Sequence, residues 1–339
     1  MTITFRRAGL VVIAGVLVLW VTGCGGGGDS SEALTGGDGD SPTPAITGSL
    51  HIVVQWPERV SPQAIPQAAE SIYIELSSES GGRSTSVAIV RPATEATLRE
   101  VPTGPAVLAA YACDGADWYE ANVLATARRS VNIVEGDNAP VALDLGPLPQ
   151  FPTSTLFPLA IGNEWTYQVT DYINPPAPAE LESSRRGLPA PAQADGQFLL
   201  AIVGNGICAG AVWFNAIVLE QGVITDYMYL LHNPTGFRSE GSPWSFQQNY
   251  LLKNPLAVGT EWRYPDRSAT RTIAGVNETV VVPAGTFRGC LLVEEQGDAY
   301  GSLYRDWFAP GVGLLKEERY YIGILTGATE LVQYQLVGP

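Results

Sequence analysis

The sequence predicts an all-β protein in two parts. A small antiparallel β-sandwich is followed by a larger antiparallel β domain, a curved sheet or barrel-like, that contains a repeat. Three observations carry this. Short runs of apolar residues recur along the chain between turns rich in Gly, Pro, Asn and Asp, the pattern of strands rather than helices. The second domain shows no strong helical period. A ten-residue segment occurs twice, and each copy opens a series of such runs.

The chain begins with Arg6 and Arg7, an apolar run from Ala8 to Trp20, and Val21-Thr22-Gly23-Cys24. The run is shorter than the roughly 20 apolar residues a spanning helix needs. A charged start, a short apolar middle and small residues before a break make residues 1–23 a secretory signal. An uncleaved anchor is the alternative. The V-T-G-C ending resembles the lipobox of bacterial lipoproteins. That resemblance implies acylation of Cys24, palmitate included, with Cys24 as the first residue after cleavage. Phe5 and Ala8-Gly9 around the Arg6-Arg7 pair fit twin-arginine export poorly, so the general secretory route is expected. Gly25 stands where inner-membrane lipoproteins usually carry Asp, which points to the outer membrane, facing either the periplasm or the surface.

The formal net charge is -15, from 19 Lys+Arg and 34 Asp+Glu. Cleavage removes Arg6 and Arg7 and no acid, which leaves 17 basic residues against 34 acidic. Nucleic acid is excluded as a partner, because phosphates need a basic surface. Anionic lipid is not attracted either, so membrane association rests on the acyl chains, at about 0.8 kcal/mol per buried CH₂.

Residues 24–48 are mostly Gly, Ser, Thr, Pro and acid with no Lys or Arg, a tether that cannot bury enough apolar surface to fold. Asp38-Gly39-Asp40-Ser41 lacks the remaining ligands and the closing Glu of a calcium loop, so it reads as spacer.

The sandwich spans residues 49–146. Leu50, Ile52 and Val54 alternate with partners before Trp56, and further runs lie at Ile72–Leu76, Ser86–Val90, Ala106–Tyr111, Val123–Ala127, Val131–Val134 and Val141–Leu145. About seven short strands in about a hundred residues suit a sandwich. The segment Leu98-Arg99-Glu100-Val101-Pro102-Thr103-Gly104, the strand after it and Val131–Gly136 resemble carboxypeptidase-regulatory or transthyretin-like domains. That resemblance implies a non-catalytic spacer or docking module. The stretch Pro57–Ala69, helical or loop, departs from the family pattern.

A Pro-rich linker at residues 147–153 leads to the second domain, residues 154–339. Here Pro158-Leu159-Ala160-Ile161-Gly162-Asn163-Glu164-Trp165-Thr166-Tyr167 recurs as Pro255-Leu256-Ala257-Val258-Gly259-Thr260-Glu261-Trp262-Arg263-Tyr264, identical at seven of ten positions. The pattern predicts a Pro-started turn, a Gly with positive φ, then a strand with Trp and Tyr on one face. It also predicts two related sheet halves. Further strands are expected at Gln197–Val203, Val212–Leu219, Val223–Leu231, Thr279–Val282, Cys290–Glu294, Leu303–Phe308, Gly313–Arg319 and Leu331–Val337, with a long polar loop over Asn174–Gly196. The repeat opening, Val282-Pro283-Ala284-Gly285-Thr286-Phe287 and Asp306-Trp307-Phe308-Ala309-Pro310-Gly311-Val312-Gly313 resemble an uncharacterised family of bacterial secreted proteins. The resemblance implies mostly β architecture and no activity. Ala309-Pro310-Gly311 predicts a tight turn with a left-handed Gly.

Little chemistry is legible. There are two histidines, no G-x-S-x-G elbow and no cluster with metal-ligand spacing, so neither an enzyme nor a cofactor or metal is expected. His232 reads as a surface loop residue. Glu164 and Glu261 occupy equivalent repeat positions and could form a hydrolase's carboxylate pair, but both flank a Trp on the solvent face. Glu294-Glu295 and Glu317-Glu318 each alternate faces. Once Cys24 is lipidated, Cys113, Cys208 and Cys290 remain. Cys208 and Cys290 could pair in an oxidising compartment, or all three could be buried thiols. Aromatics concentrate in the second domain, where Trp165, Tyr167, Trp213, Trp262, Tyr264 and Trp307 could line a ligand pocket or fill the core. The leading expectation is a lipid-anchored, non-enzymatic envelope protein that binds or docks an unknown envelope partner. Carriage of an apolar ligand, lipid or glycan, is the alternative, and hydrolysis the weakest.

Overall fold

The computed structural model describes residues 47–54, 56, 66, 68–79, 84–118, 120–172, 196–208, 210–241, 249–264, 269–297 and 301–337. The signal segment, Cys24, nearly all of the tether, most of Pro57–Ala69 and the loop expected at Asn174–Gly196 lie outside these residues. All described residues belong to one compact unit, Thr43–Pro339.

Seven strands build the sandwich: β1 (Thr47–Val53), β2 (Ser71–Ser78), β3 (Thr85–Val90), β4 (Glu95–Pro102), β5 (Gly104–Cys113), β6 (Val123–Ile133) and β7 (Gly136–Asn138). One sheet has the order β4-β1-β7, the other β3-β2-β5-β6. Every pair is antiparallel except β1 with β7, which is parallel. Leu50 and Ile52 of β1 meet Ile72, Ile74 and Leu76 of β2 and Leu108 of β5 in the core between the sheets. The expected strands at Val123–Ala127 and Val131–Val134 are one continuous strand, β6. The expected strand at Val141–Leu145 is irregular. Its apolar residues pack on the sandwich core but find no ladder partner.

The second sheet of the sandwich is covered on its other face as well. Tyr73, Ala109, Tyr111, Cys113 and Val123 form a separate cluster with Leu148 of the linker and with Ile207 and Val212. This explains why β5 is buried at consecutive positions from Leu108 to Cys113: a strand covered on both faces shows no alternation. The linker is part of this packing, since Gly146 pairs with Thr126. A 3-10 turn, Pro152–Thr155, comes next.

The remaining strands are β8 (Glu164–Asp171), β9 (Gly196–Cys208), β10 (Ala211–Glu220), β11 (Val223–Asn233), β12 (Gly236–Glu240), β13 (Tyr250–Lys253), β14 (Glu261–Arg263), β15 (Thr270–Val282), β16 (Gly285–Gln296), β17 (Ser302–Ala309), β18 (Gly313–Tyr321) and β19 (Ile324–Gln335). They form one antiparallel 12-stranded sheet, β13-β12-β11-β10-β9-β8-β19-β18-β17-β16-β15-β14, which curls into a nearly closed barrel. The order consists of two six-stranded meanders, each opened by one copy of the repeat and joined through β8 and β19.

The copies match in detail. Gly162 and Gly259 have φ of 92° and 88°. The Gly162 amide donates to Ile202 O and the Gly259 amide to Ile273 O, at 2.8 and 2.9 Å. Asn163 Nδ2 and Thr260 Oγ1 each donate to the carbonyl of their repeat's proline, Pro158 or Pro255. In symmetric closure, β13 and β14 would pair as β19 and β8 do. They form no ladder; side chains of β14 and β15 reach across to β13 instead. Trp262 Nε1 donates to Tyr250 O at 2.8 Å, and Arg271 Nη1 to Leu251 O at 3.0 Å.

Candidate functional site

The aromatic residues of the repeats are used up by the fold. Trp165 and Tyr167 are fully buried, and Trp262 and Tyr264 nearly so. Trp165 Nε1 donates to Val312 O at 2.5 Å and Tyr167 Oη to Leu314 O at 3.0 Å, both carbonyls of the opposite meander. Burial pushes the Tyr167 hydroxyl well above its ordinary range. Tyr264 Oη accepts from Arg271. Trp213 packs with Cys208 and Leu231 under the Arg238 guanidinium, 5.1 Å from the ring centre. Trp307 is half-buried against the barrel core. The interior these residues fill leaves a void of about 10 Å³, room for about one water molecule. None of the six aromatics lines that void or the larger cleft at the junction with the sandwich.

The cysteines are buried thiols that form no disulfide among themselves. Of the two alternatives the structure has the buried thiols, and Cys208 and Cys290 lie in different clusters: Cys208 with Trp213 and Leu231, Cys290 in the barrel core. Burial pushes the Cys113 thiol up to about 11 and raises that of Cys290, which suits unreactive packing residues.

Glu164 and Glu261 pair with β-strand neighbours on the outside of the barrel, Glu164 half-buried and Glu261 exposed. The paired glutamates divide between faces. Glu294 meets Arg305, and Glu318 meets Lys316. Glu295 and Glu317 join a cluster that the sequence pattern does not reveal. Arg271, nearly fully buried, contacts Asp306 Oδ2 through Nη2 and Glu295 Oε2 through Nε at 3.4 Å. Glu317 stands directly opposite Asp306 across β17 and β18, and both line the 10 Å³ void. Burial pushes Asp306 up to about 6, against the pull of Arg271. Burial, then the neighbouring Asp306, pushes Glu317 up to about 8. No group of three or more His, Cys, Asp or Glu among the described residues could hold a metal ion.

His232 is not a surface loop residue. It is mostly buried, and both ring nitrogens are engaged: Nε2 with Phe157 O at 2.7 Å and Nδ1 with Thr153 Oγ1 at 2.8 Å. Since a carbonyl only accepts, Nε2 carries the proton and Nδ1 accepts from Thr153. Burial lowers His232 to about 4, so the ring is neutral. A hydroxyl, an imidazole and an orienting oxygen are the parts of an activated nucleophile. Thr153, however, is fully buried, and its hydroxyl meets no substrate. The trio ties the 3-10 turn to the end of β11, and the ring stacks on Phe237 at 4.6 Å.

Around this tie lies a cleft of about 220 Å³. Its floor is the outer face of β5 and β6 at Ala109, Tyr111, Thr126 and Arg128. The linker supplies Leu148 to Phe151, and the barrel supplies Ala211, Val212, Phe214 and Leu231 to Pro234. Asn205 fastens the two walls. Its Oδ1 accepts from the Val123 amide at 2.6 Å, and its Nδ2 donates to Val123 O at 3.1 Å. The cleft joins two sheet systems, a common setting for ligand sites.

No protein-family model matches the chain, and no curated relative matches it. Two solved structures show a distant likeness. One, from Bacteroides fragilis, is described as an exported protein with a YmcC-like fold. It is 14% identical, covers 54% of this chain and 99% of its own, and has a TM-score of 0.32. The other, from Parabacteroides distasonis, is described as a lipoprotein, with 14% identity, coverage of 53% and 99%, and a TM-score of 0.28. Likeness at this level carries no inference about fold or activity. The resemblances in the sequence therefore rest on the residues that carry them.

Proposed function

We propose that this chain is a lipid-anchored protein of the bacterial cell envelope that binds its target rather than transforming it, with the cleft between sandwich and barrel as the recognition site. The anchor is Cys24, and the absence of Asp after it favours the outer membrane. The observation that supports binding at the cleft is the contrast between the two concavities. The void among the described residues of the barrel interior measures about 10 Å³, whereas the cleft offers about 220 Å³. Carriage of an apolar ligand inside the barrel has less support, because Trp165, Tyr167, Trp262 and Tyr264, which would line such a pocket, are buried in the packing. Hydrolysis has less support, because His232 has both ring nitrogens engaged and its hydroxyl partner, Thr153, is buried.

Two measurements test this. Palmitate labelling with membrane fractionation should succeed for the wild type and fail for Cys24→Ser; labelling of the variant would remove the anchor. Native mass spectrometry of the full chain should detect a small co-purifying molecule that is lost when Ala211→Trp fills the cleft. Retention of the adduct in that folded variant would place the ligand elsewhere.

A further inference from the structure

The cleft's polar lining restricts what can bind there, provided that the cleft is the recognition site. Most of its hydrogen-bonding groups are already satisfied. His232 uses both nitrogens. Ser154 Oγ accepts from the Phe151 amide at 3.1 Å. Asn233 Oδ1 accepts from the amides of Thr235 and Gly236, both at 2.9 Å.

Two groups remain. Tyr111 is 4% exposed and lines the cleft, and its hydroxyl makes no hydrogen bond among the described residues. Arg128 is exposed at the rim and forms no ion pair among the described residues. The register puts both on one face of the sheet, Tyr111 opposite Thr126 and Ala109 opposite Arg128. Ala109 stands between them and keeps the floor low. Glu75 flanks Ala109 from the other side, and its Oε2 lies 3.8 Å from where a Cβ on the cleft-lining Gly210 would stand, so the acid borders the Gly210 side and the positive end is the Arg128 end. Two hydrogen-bond donors, one of them charged, stand over walls formed by Leu148, Val212, Phe214 and Leu231.

We infer that the cleft binds a small anionic amphiphile, its carboxylate or phosphate head held by Arg128 and Tyr111 and its apolar body lying against the linker and barrel walls. At about 30 Å³ per water-sized group, 220 Å³ accommodates a body of about seven non-hydrogen atoms. An arginine and a phenol hydroxyl suit an acceptor-rich head, since a planar guanidinium can donate two hydrogen bonds to one carboxylate. An acyl-chain end and a free aromatic acid share this chemistry.

The test is saturation-transfer NMR on the full chain in detergent, with empty micelles subtracted. The probes are phenylacetate, 2-phenylethanol and phenethylammonium. Phenylacetate should bind best and phenethylammonium worst. Arg128→Ala should weaken phenylacetate by about tenfold, the range of a charged hydrogen bond, and leave phenylethanol unchanged. Tyr111→Phe should weaken both acceptor-headed probes while retaining the ring that packs the floor. Equal binding of all three probes, unmoved by Arg128→Ala but abolished by Ala211→Trp, would overturn the anionic head and leave the cleft as a site. Octanoate against inorganic phosphate then separates the two head classes. Binding of every probe unaffected by Ala211→Trp would overturn both the anionic head and the choice of site.

Discussion

Glu317→Gln should make the protein more stable at alkaline pH, the reverse of what removing a carboxylate usually does. Glu317 faces Asp306 across two strands and an almost filled void whose other walls include Phe157, Leu200, Phe237 and Phe308. Its folded pKa of about 8 lies above the ordinary value of 4.5. A carboxyl with a raised folded pKa contributes stability that is fully present below its unfolded pKa. That contribution is lost as pH rises through the folded value. The loss here therefore runs from about pH 4.5 to about 8.

Two other groups titrate in the lower part of this range. Asp306, raised from 3.8 to about 6, has the same sign and is finished near pH 6. His232, lowered from 6.5 to about 4, has the opposite sign: its stability is present above pH 6.5 and is lost as pH falls toward 4. Between pH 6.5 and 8, Glu317 is the group that changes. One proton over about 1.5 pH steps corresponds to about 2 kcal/mol at about 1.4 kcal/mol per step. Glu317 is half-buried by area, and water reaching it lowers this to about 1 kcal/mol. Chemical denaturation of the wild type should therefore weaken by about 1–2 kcal/mol across that interval, whereas Glu317→Gln should stay flat. Parallel profiles for the two proteins would refute the reasoning. The open acceptor on Asp306 points the same way, because Oδ1 is buried without a partner and a protonated Glu317 opposite it is a donor.

Arg271→Met should cost about 3–5 kcal/mol, because it strands two buried carboxylates. Amide exchange in β13 and β14 should also accelerate, since Arg271 bonds Leu251 O across that seam; a loss below about 1 kcal/mol with unchanged exchange would contradict this. Gly162→Ala should destabilise more than Gly259→Ala. Both positions have positive φ, but a Cβ on Gly162 would lie 2.9 Å from Val337 Cγ2, whereas none of its neighbours lies within 4 Å at Gly259. Backbone strain alone costs about 1–2 kcal/mol, so equal melting temperatures for the two variants would reject the contact.

The parts of the fold that depend on neighbours along the chain were legible in the sequence. β2, β3, β10 and β17 follow from their apolar alternation and flanking turns, and the left-handed Gly311, with φ of 71°, from Ala309-Pro310-Gly311. Val141–Leu145 shows the limit of that signal: alternation reports which side chains are buried, and these are, but it does not report whether the backbone has a partner. β12 and β13 escaped notice because strands of five and four residues offer too few alternations. The prolines of the linker predict restricted freedom, and they do not reveal that Leu148 has two surfaces to pack on. The charged cluster was illegible for a stronger reason. Arg271, Glu295, Asp306 and Glu317 come from four strands, and only the register, Arg271 opposite Glu295 and Asp306 opposite Glu317, brings them together.

The repeat both guided and misled the search for a site, for one physical reason. A duplicated meander must close on its own copy, and each Trp does that: Trp165 donates to Val312 O in the second half and Trp262 to Tyr250 O in the first. Residues needed for closure recur in both copies, so recurrence here marks the core and not a ligand site. The cleft shows the opposite pattern. Ala109, Tyr111 and Arg128 come from the sandwich, Leu148 from the linker, and Val212 and Leu231 from the first meander only. The second meander contributes no residue to this lining. A function confined to one face of a pseudo-symmetric barrel has to be sought where that symmetry is broken, and the junction with the sandwich is that place.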